Sequence, residues 1–590
     1  MIVPKLLDSV ADKFGDRTAV SFKRDGTWVS HSWKQHRHEI HLIARGLINL
    51  GFKSASHACI LSYNRREWLV ADLAVIAAGG VPAGIYPTSS AEQSSWIVEH
   101  CKAAFLFVEN LSQFEKVYES VVALPDLIGI ILIEGDDSRE KVWTWSKLLE
   151  LGKKQPQQEL DKRIDAQSID DPATLVYTSG TTSNPKAVVL THENLNWVAQ
   201  SVIGHHFEVT PDDIFISYLP LSHIAEQVTT IHGALVAGYS VAMAESMEKL
   251  GENLKEVRPT IFLGVPRVWE KIQAKMVEKG ASASPLKKKL VAWAKKTGLD
   301  YAYKAADGSQ PSLAFKLAEK IIYSKVREAL GFDRCRVMVT AAAPIGRATL
   351  EFFFSLNIPV MEVYGMSETT GPATVSVPGQ GYRIGKAGKA IHGSELMIAD
   401  DGELLVKGKH VFKEYLHDKA ATSEAVDSEG WLHTGDLGSV DENGFLTIEG
   451  RKKNLIITSG GENIATEMLE HQFSGIAGVE HVFVAGDGEK FLTMLLTLER
   501  ETVLNQAKAI GSPKERPEDL VHCEIFHRYI QGEVDRVNAG LARVQTIKKF
   551  KIIADNFSEE TGELTPTMKV KRNVVYKKHM ETISSFYQSV

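Results

Sequence analysis

From the N-terminus to about residue 370 the chain alternates short apolar runs with longer amphipathic stretches, and that alternation restricts what it can fold into. Ala58-Cys59-Ile60-Leu61, Ala104-Phe105-Leu106-Phe107-Val108, Gly129-Ile130-Ile131-Leu132-Ile133 and Arg336-Val337-Met338-Val339-Thr340 are of strand length and almost continuously apolar. Strands of this kind are covered on both faces, which requires helices between them and largely parallel pairing. The expected fold is therefore α/β, with stacked layers. After about residue 385 the texture changes. Leu396–Ala399 and Glu403–Val406 flank an Asp-Gly turn, and Val440–Leu446 reads as a second hairpin. A chain of 590 residues exceeds what one core fills. The predicted organisation is an N-terminal domain over residues 1–450, closed by a small β-rich subdomain at about 375–450, a linker at 451–454 and a smaller α+β domain at 455–590. Residues 279–312, rich in Lys, Ala, Ser and Gly, read as an insertion.

Charge and cysteine usage exclude several classes. A net charge of −7 over this length gives no global attraction to nucleic acid. The four cysteines, Cys59, Cys101, Cys335 and Cys523, are scattered, which argues against a zinc knuckle or disulfide framework and suits a reducing compartment. The first residues carry no basic n-region or long apolar run, so no signal peptide is expected. The longest apolar stretch, Leu69 to Tyr86, is interrupted by Asp72, Gly79, Gly80 and Pro82 and reads as a buried helix and strand. The expected location is cytoplasmic. Ser284-Pro285 followed by Leu286-Lys287-Lys288-Lys289-Leu290 is a helix start on a basic amphipathic segment, the kind of element that lies on a solvent or membrane surface.

One polar stretch stands apart. Tyr177-Thr178-Ser179-Gly180-Thr181-Thr182-Ser183-Asn184-Pro185-Lys186 follows the apolar run Ala173–Val176. A strand feeding such a loop presents backbone N–H groups, hydroxyls and a lysine charge, all suited to phosphate oxygens. Its spacing is not that of a Walker A loop, because the lysine follows Pro185 and no Ser or Thr comes after it.

This string resembles the phosphate loop of the adenylate-forming enzymes, which include acyl-CoA synthetases, peptide-synthetase adenylation domains and firefly-type luciferases. Val363-Tyr364-Gly365-Met366-Ser367-Glu368-Thr369 is similar to the family's adenine and magnesium motif. Trp431-Leu432-His433-Thr434-Gly435-Asp436 resembles its ribose motif, Gly450-Arg451-Lys452-Lys453-Asn454 its hinge, and Leu564-Thr565-Pro566-Thr567-Met568-Lys569 the segment of its C-terminal catalytic lysine. Tyr218–His223, Val265–Lys271 and Ser459–Ile464 look most like long-chain fatty acyl-CoA synthetases, closest to the bubblegum-type branch.

The resemblance implies ATP-dependent ligation of a fatty acid, long-chain by its branch, to coenzyme A through an acyl-adenylate, with AMP and pyrophosphate released. Thr178, Ser179, Gly180, Thr181, Thr182 and Lys186 would hold the β- and γ-phosphates. Ser367 would donate to the α-phosphate, Glu368 would ligate Mg²⁺, and Tyr364 with Gly365, Ala342 and Ala343 would lie against adenine. Asp436 would accept from the ribose hydroxyls, assisted by Arg451. Lys569 would reach the α-phosphate and the attacking carboxylate, with Lys571 as competitor, and His223 would contact or shield that carboxylate. A mobile C-terminal domain would pivot at Lys453 and present Gly460 and Gly461 to the pantetheine of CoA. Ser183 and Ala187 depart from the pattern, since both stand where glycine is common; a Cβ there narrows the backbone wherever φ is positive. Gln227 occupies the place of a gate tryptophan carried by bacterial long-chain members. The motifs also suit an aryl or medium-chain acid, a carrier-protein thiol as acceptor, or a catalytically dead nucleotide- or acyl-binding module. The expected partners are fatty acid, ATP and CoA, with no nucleic acid and with peripheral membrane contact through the fatty substrate.

Overall fold

The computed structural model describes residues 1–178, 185–377, 381–500, 502–565 and 569–588. Among them, two large mixed sheets form the body. One has nine strands. Its parallel centre runs Thr18–Arg24, Ser240–Met243, Ile214–Ser217, Ile261–Gly264, Val337–Thr340 and Val360–Met366 in spatial order, and antiparallel strands close both edges. The other has eight strands, with His57–Leu61, Val81–Ile85, Ala103–Val108 and Gly129–Leu132 parallel at its centre. At one end Pro172–Thr178, Lys186–Thr191 and Glu414–Tyr415 pair antiparallel.

The inner faces of both sheets share one core that includes Ala58, Ile60, Phe105, Phe107, Phe215, Val241 and Phe262. The helix Arg66–Ala77 belongs to it, with Trp68 to Ala77 buried without a break. This explains the first part of the long apolar stretch at 69–86: a helix covered on all sides has no polar face to keep. Among the described residues no helix is long and apolar enough to cross a membrane.

Asp72 is the exception inside that helix. It is buried, and burial alone pushes its carboxyl up to about 8. The folded state therefore keeps a proton that the unfolded chain releases near its ordinary pKa of about 4, and the parent loses stability as pH rises across that window. Asp72→Asn cannot ionise. Urea midpoints near pH 5 and near pH 8 should show the variant gaining on the parent by at least about 1 kcal/mol at the higher pH. Parallel pH dependences in the two proteins would mean that the carboxyl is already ionised in the fold.

Beyond the body, Glu395–Ile398, Glu403–Lys407, Leu432–Val440 and Leu446–Arg451 form a four-stranded antiparallel sheet. Both predicted hairpins are in it, and Gly402 of the Asp-Gly turn has φ +84°, as such a turn requires. A short turn at Lys452–Asn454 leads to a smaller unit. That unit has a three-stranded sheet, Val479–Ala485, Leu492–Leu498 and Ile547–Ile553, and its own core around Leu469, Phe473, Phe526 and Ile530. Arg267 of the body reaches Glu499 of the small unit at 3.5 Å. The stretch that read as an insertion contains the helix Pro285–Ala305, capped by Ser284 with proline in its first turn, as the sequence signal implied. The Tyr382 hydroxyl donates to the Ala302 carbonyl at 2.6 Å and ties that helix to the body.

Candidate functional site

The phosphate-like loop is the connection of a hairpin. Thr178 pairs with Lys186 across the two strands, and the Thr178 hydroxyl donates to the Lys186 carbonyl at 3.3 Å. Ser179, Gly180, Thr181, Thr182 and Ser183 lie outside the described residues. Ala187 lies within the second strand opposite Tyr177 and is not among the positive-φ residues, so the narrowing expected there does not arise. The Lys186 ammonium sits over the Tyr415 ring, 4.8 Å from its centroid. Tyr415 is held by strand pairing beside Val188, and its hydroxyl donates to Glu368 Oε1 at 2.7 Å. One aromatic side chain thus links the loop lysine to the carboxylate.

Glu368 is buried in the turn Ser367–Thr369 that ends the strand Val360–Met366. Gly365 has to be glycine, because a Cβ there would lie 1.9 Å from the Gly371 carbonyl oxygen. Tyr364 does more than offer a ring: its hydroxyl donates to Asp436 Oδ2 at 2.7 Å. Asp436 Oδ1 accepts from Arg451 Nε at 2.8 Å, and the two residues face each other across adjacent strands. Burial, with the Asp436 charge beside it, raises the Tyr364 phenol well above its ordinary value, so it stays a donor. Ala342 and Ala343 follow the strand Val337–Thr340, which neighbours that of Tyr364. Ala342 has φ +74°, a left-handed conformation that costs a Cβ-bearing residue about 1 kcal/mol.

Lys569 joins these groups. Leu564 and Val570 pair antiparallel, and Thr565 N donates to the Lys569 carbonyl at 2.8 Å, so Lys569 stands opposite Thr565 in a short antiparallel pairing. Its ammonium pKa is lowered, first by desolvation and then by the Arg451 cation, against the pull of Glu467, Asp436 and Glu368. Burial, with the Lys569 charge added to it, lowers His223 to about 4, which leaves a neutral imidazole at pH 7. His223 Nδ1 accepts from Ala225 N at 3.2 Å and caps the helix that follows. Lys571 stands at the N-cap position of the helix Arg572–Lys578, with no capping bond from its side chain. Gln227 is buried and donates to the Leu221 carbonyl at 2.9 Å, within the same segment as His223.

The structure thus gathers Lys186, Glu368, Tyr364, Asp436, Arg451, His223 and Lys569, the last by electrostatic reach. It does not bring in Gly460 and Gly461, whose turn closes on Thr458 and Glu462, with Gly461 at φ +85°. Lys453 is exposed in the linking turn. Tyr415 and Glu467 belong to the assembly and were not picked out from sequence. Among the described residues no three His, Cys, Asp or Glu side chains cluster as a metal site.

A model of the AMP-binding enzyme family matches residues 7–416, and one of the AMP-binding enzyme C-terminal domain matches residues 453–590. The chain is 40% identical to the long-chain-fatty-acid–CoA ligase ACSBG2 of Xenopus laevis, covering 99% of this chain and 84% of that protein. It is 36% identical to the long-chain-fatty-acid–CoA ligase ACSBG1 of Bos taurus, with 99% and 85% covered. In fold it is similar to the O-succinylbenzoate coenzyme A synthetase of Bacillus subtilis (TM-score 0.69, 21% identity, 97% of each chain). It is also similar to the anthranilate CoA ligase AuaEII (TM-score 0.72, 17% identity, 99% and 98%).

Proposed function

Because the chain belongs to the AMP-binding enzyme family, on the branch of the bubblegum-type long-chain-fatty-acid–CoA ligases, we propose that it joins a long-chain fatty acid to coenzyme A at the expense of ATP. The reaction passes through an acyl-adenylate and releases AMP and pyrophosphate. The observation that supports this reading best is the position of Lys569, from the small unit, amid Glu368, Asp436 and Arg451 of the large one. A carboxylate attacking a phosphate brings two anions together, and oriented cations and donors are what lower that barrier.

In this reading Lys569 donates to the attacking carboxylate and the α-phosphate, and Ser367 adds a hydroxyl. The phosphate loop, Thr178 and Lys186 hold the leaving pyrophosphate. Asp436, oriented by Tyr364 and Arg451, accepts from the ribose, while Gly365, Ala342 and Ala343 leave room for adenine. Neutral His223 shields the carboxylate without drawing it into an ion pair. Glu368 fits Mg²⁺: its Oε1 already has the Tyr415 donor, and a hard cation shared with phosphates needs only one or two protein carboxylates. A bound Mg²⁺ would supply charge neutralisation at the phosphate oxygens. Residues 1–450, with the β-rich subdomain at 375–450, form the adenylating domain. Residues 455–590 move about 451–454, and the Gly460-Gly461 turn then faces CoA. Peripheral contact with a membrane belongs to the same reading, because a long-chain acid partitions into bilayers.

The test is incubation with ATP, Mg²⁺, CoA and saturated acids of graded chain length. Acyl-CoA, AMP and pyrophosphate should form in equal amounts, with the highest kcat/KM for long-chain acids. Formation of ADP would reject the mechanism. Absence of acid-dependent pyrophosphate exchange would leave a binding module.

A further inference from the structure

The tip of the helical hairpin Pro266–Ala281 and Pro285–Ala305 carries a charge and exposure pattern that the adenylation chemistry does not use. Residues 271–296 contain eight lysines and the single acid Glu278, a net of +7 within a chain of net −7. Lys275, Lys279, Lys287, Lys288 and Lys289 are exposed, and the last three form no ion pair among the described residues. Apolar side chains stand bare between them: Leu286 is 79% exposed, Val277 56% and Leu290 39%. The helical series Leu286, Leu290, Ala294, Gly298, Ala302 is buried from Ala294 onward, where Gly298 meets Ser355 and Tyr382 meets Ala302. Its apolar stripe therefore runs past the edge of the body, and among the described residues the first two turns stay uncovered. The first helix of the hairpin starts directly after the strand Ile261–Gly264 and is about 24 Å long; its buried residues, Pro266, Val268 and Trp269, all lie in its first turn or so, and the tip end is exposed.

We propose that this tip docks the protein on an anionic lipid bilayer, with Leu286, Leu290 and Val277 entering the headgroup boundary and the surrounding lysines meeting lipid phosphates and carboxylates. This rests on the fatty-acid ligase reading only for its purpose, which is to bring the site to a substrate dissolved in the membrane. The charge complements an anionic surface. The bare leucines favour a bilayer over nucleic acid, because acyl chains can cover them and a phosphate backbone cannot. Lysine stems lie along apolar surface while their ammonium groups stay in water, which suits the interleaving of Leu and Lys here.

The experiment is co-sedimentation of the full chain with vesicles of phosphatidylcholine alone, or of phosphatidylcholine mixed with phosphatidylserine, in low and high salt. Binding should require phosphatidylserine and weaken in high salt. Lys287→Glu/Lys288→Glu/Lys289→Glu should weaken it by about a hundredfold or more. Leu286→Ser/Leu290→Ser, which keeps every charge, should weaken it by at least about tenfold. Binding by both variants as tight as the parent's, equal binding to neutral vesicles, self-association through the tip in place of vesicle binding, or preferential capture of duplex RNA would each overturn the proposal. Acyl-CoA formation from a short soluble acid is measured on the same samples. An inactive protein that binds vesicles through the tip overturns the ligase reading and leaves this surface standing, whereas an active one that fails to bind does the reverse.

Discussion

Glu368→Gln is expected to slow acyl-adenylate formation by about 10²–10³, the scale of losing one preorganised charge at a site where phosphate charge develops. Glutamine retains an oxygen for the Tyr415 hydroxyl, which donates to Glu368 at 2.7 Å, so the thermal midpoint should hold. Glu368→Ala should lose as much activity and some stability besides, since it leaves the buried Tyr415 donor unpaired at a cost of about 1–3 kcal/mol. The two variants therefore separate charge from packing. Tyr415→Phe probes the link from the other side: it keeps the ring beneath Lys186 and removes only the bond to Glu368. A loss of about tenfold, with a rightward shift in the Mg²⁺ response, is expected. Pyrophosphate exchange across a Mg²⁺ titration checks all three. A Gln variant with the parent's rate at limiting Mg²⁺ would remove Glu368 from the metal and phosphate chemistry.

What the sequence showed and what it hid follow from how far apart the interacting residues lie. Strands such as Ala103–Val108, and the Asp-Gly hairpin before Glu403, are specified by local composition and turn chemistry, so they were readable. Site residues inside short ordered strings, such as Tyr364-Gly365 and Gly435-Asp436, were readable as well. Tyr415 was not. It stands in Lys413-Glu414-Tyr415-Leu416, an unremarkable polar stretch, and acquires its place only when a two-residue strand pairs with Lys186–Thr191, more than two hundred positions earlier. Glu467 was hidden for the same reason, since only the packing of the small unit puts it beside Lys569 and Asn454. The hydroxyl bond from Tyr364 to Asp436 joins two motifs that the sequence presents separately. At Ala187 the concern over a missing glycine followed from family position, and strand geometry disposes of it. At Ala342 the reverse holds, for nothing in a run of alanines marks the one with positive φ.

Lys569→Ala should abolish most acyl-adenylate formation, by about 10²–10³, and leave transfer from a supplied acyl-adenylate to CoA nearly intact. The reasoning is geometric. In this structure the Lys569 ammonium lies within electrostatic reach of Glu368, Asp436 and His223, as the first half-reaction needs. The Gly460-Gly461 turn closes on its own unit. Thioester formation then calls for a different placement of the small unit, with its dihedral change concentrated in the linker. Lys453 lies in the 3-10 turn Lys452–Asn454, a conformation whose usual φ is close to the value proline imposes. Lys453→Pro should therefore keep the present orientation and its adenylation rate while hindering the swing, so that thioester formation falls. The ion pair of Lys452 with exposed Asp401 is a surface contact worth little; the second, to the buried Glu403 carboxylate, still leaves the lysine side chain half-exposed. Measuring pyrophosphate exchange and thioester formation separately on both variants gives opposite patterns if one unit serves two orientations. Equal loss of both half-reactions in each variant would sink the rotation and leave Lys453 an ordinary exposed charge.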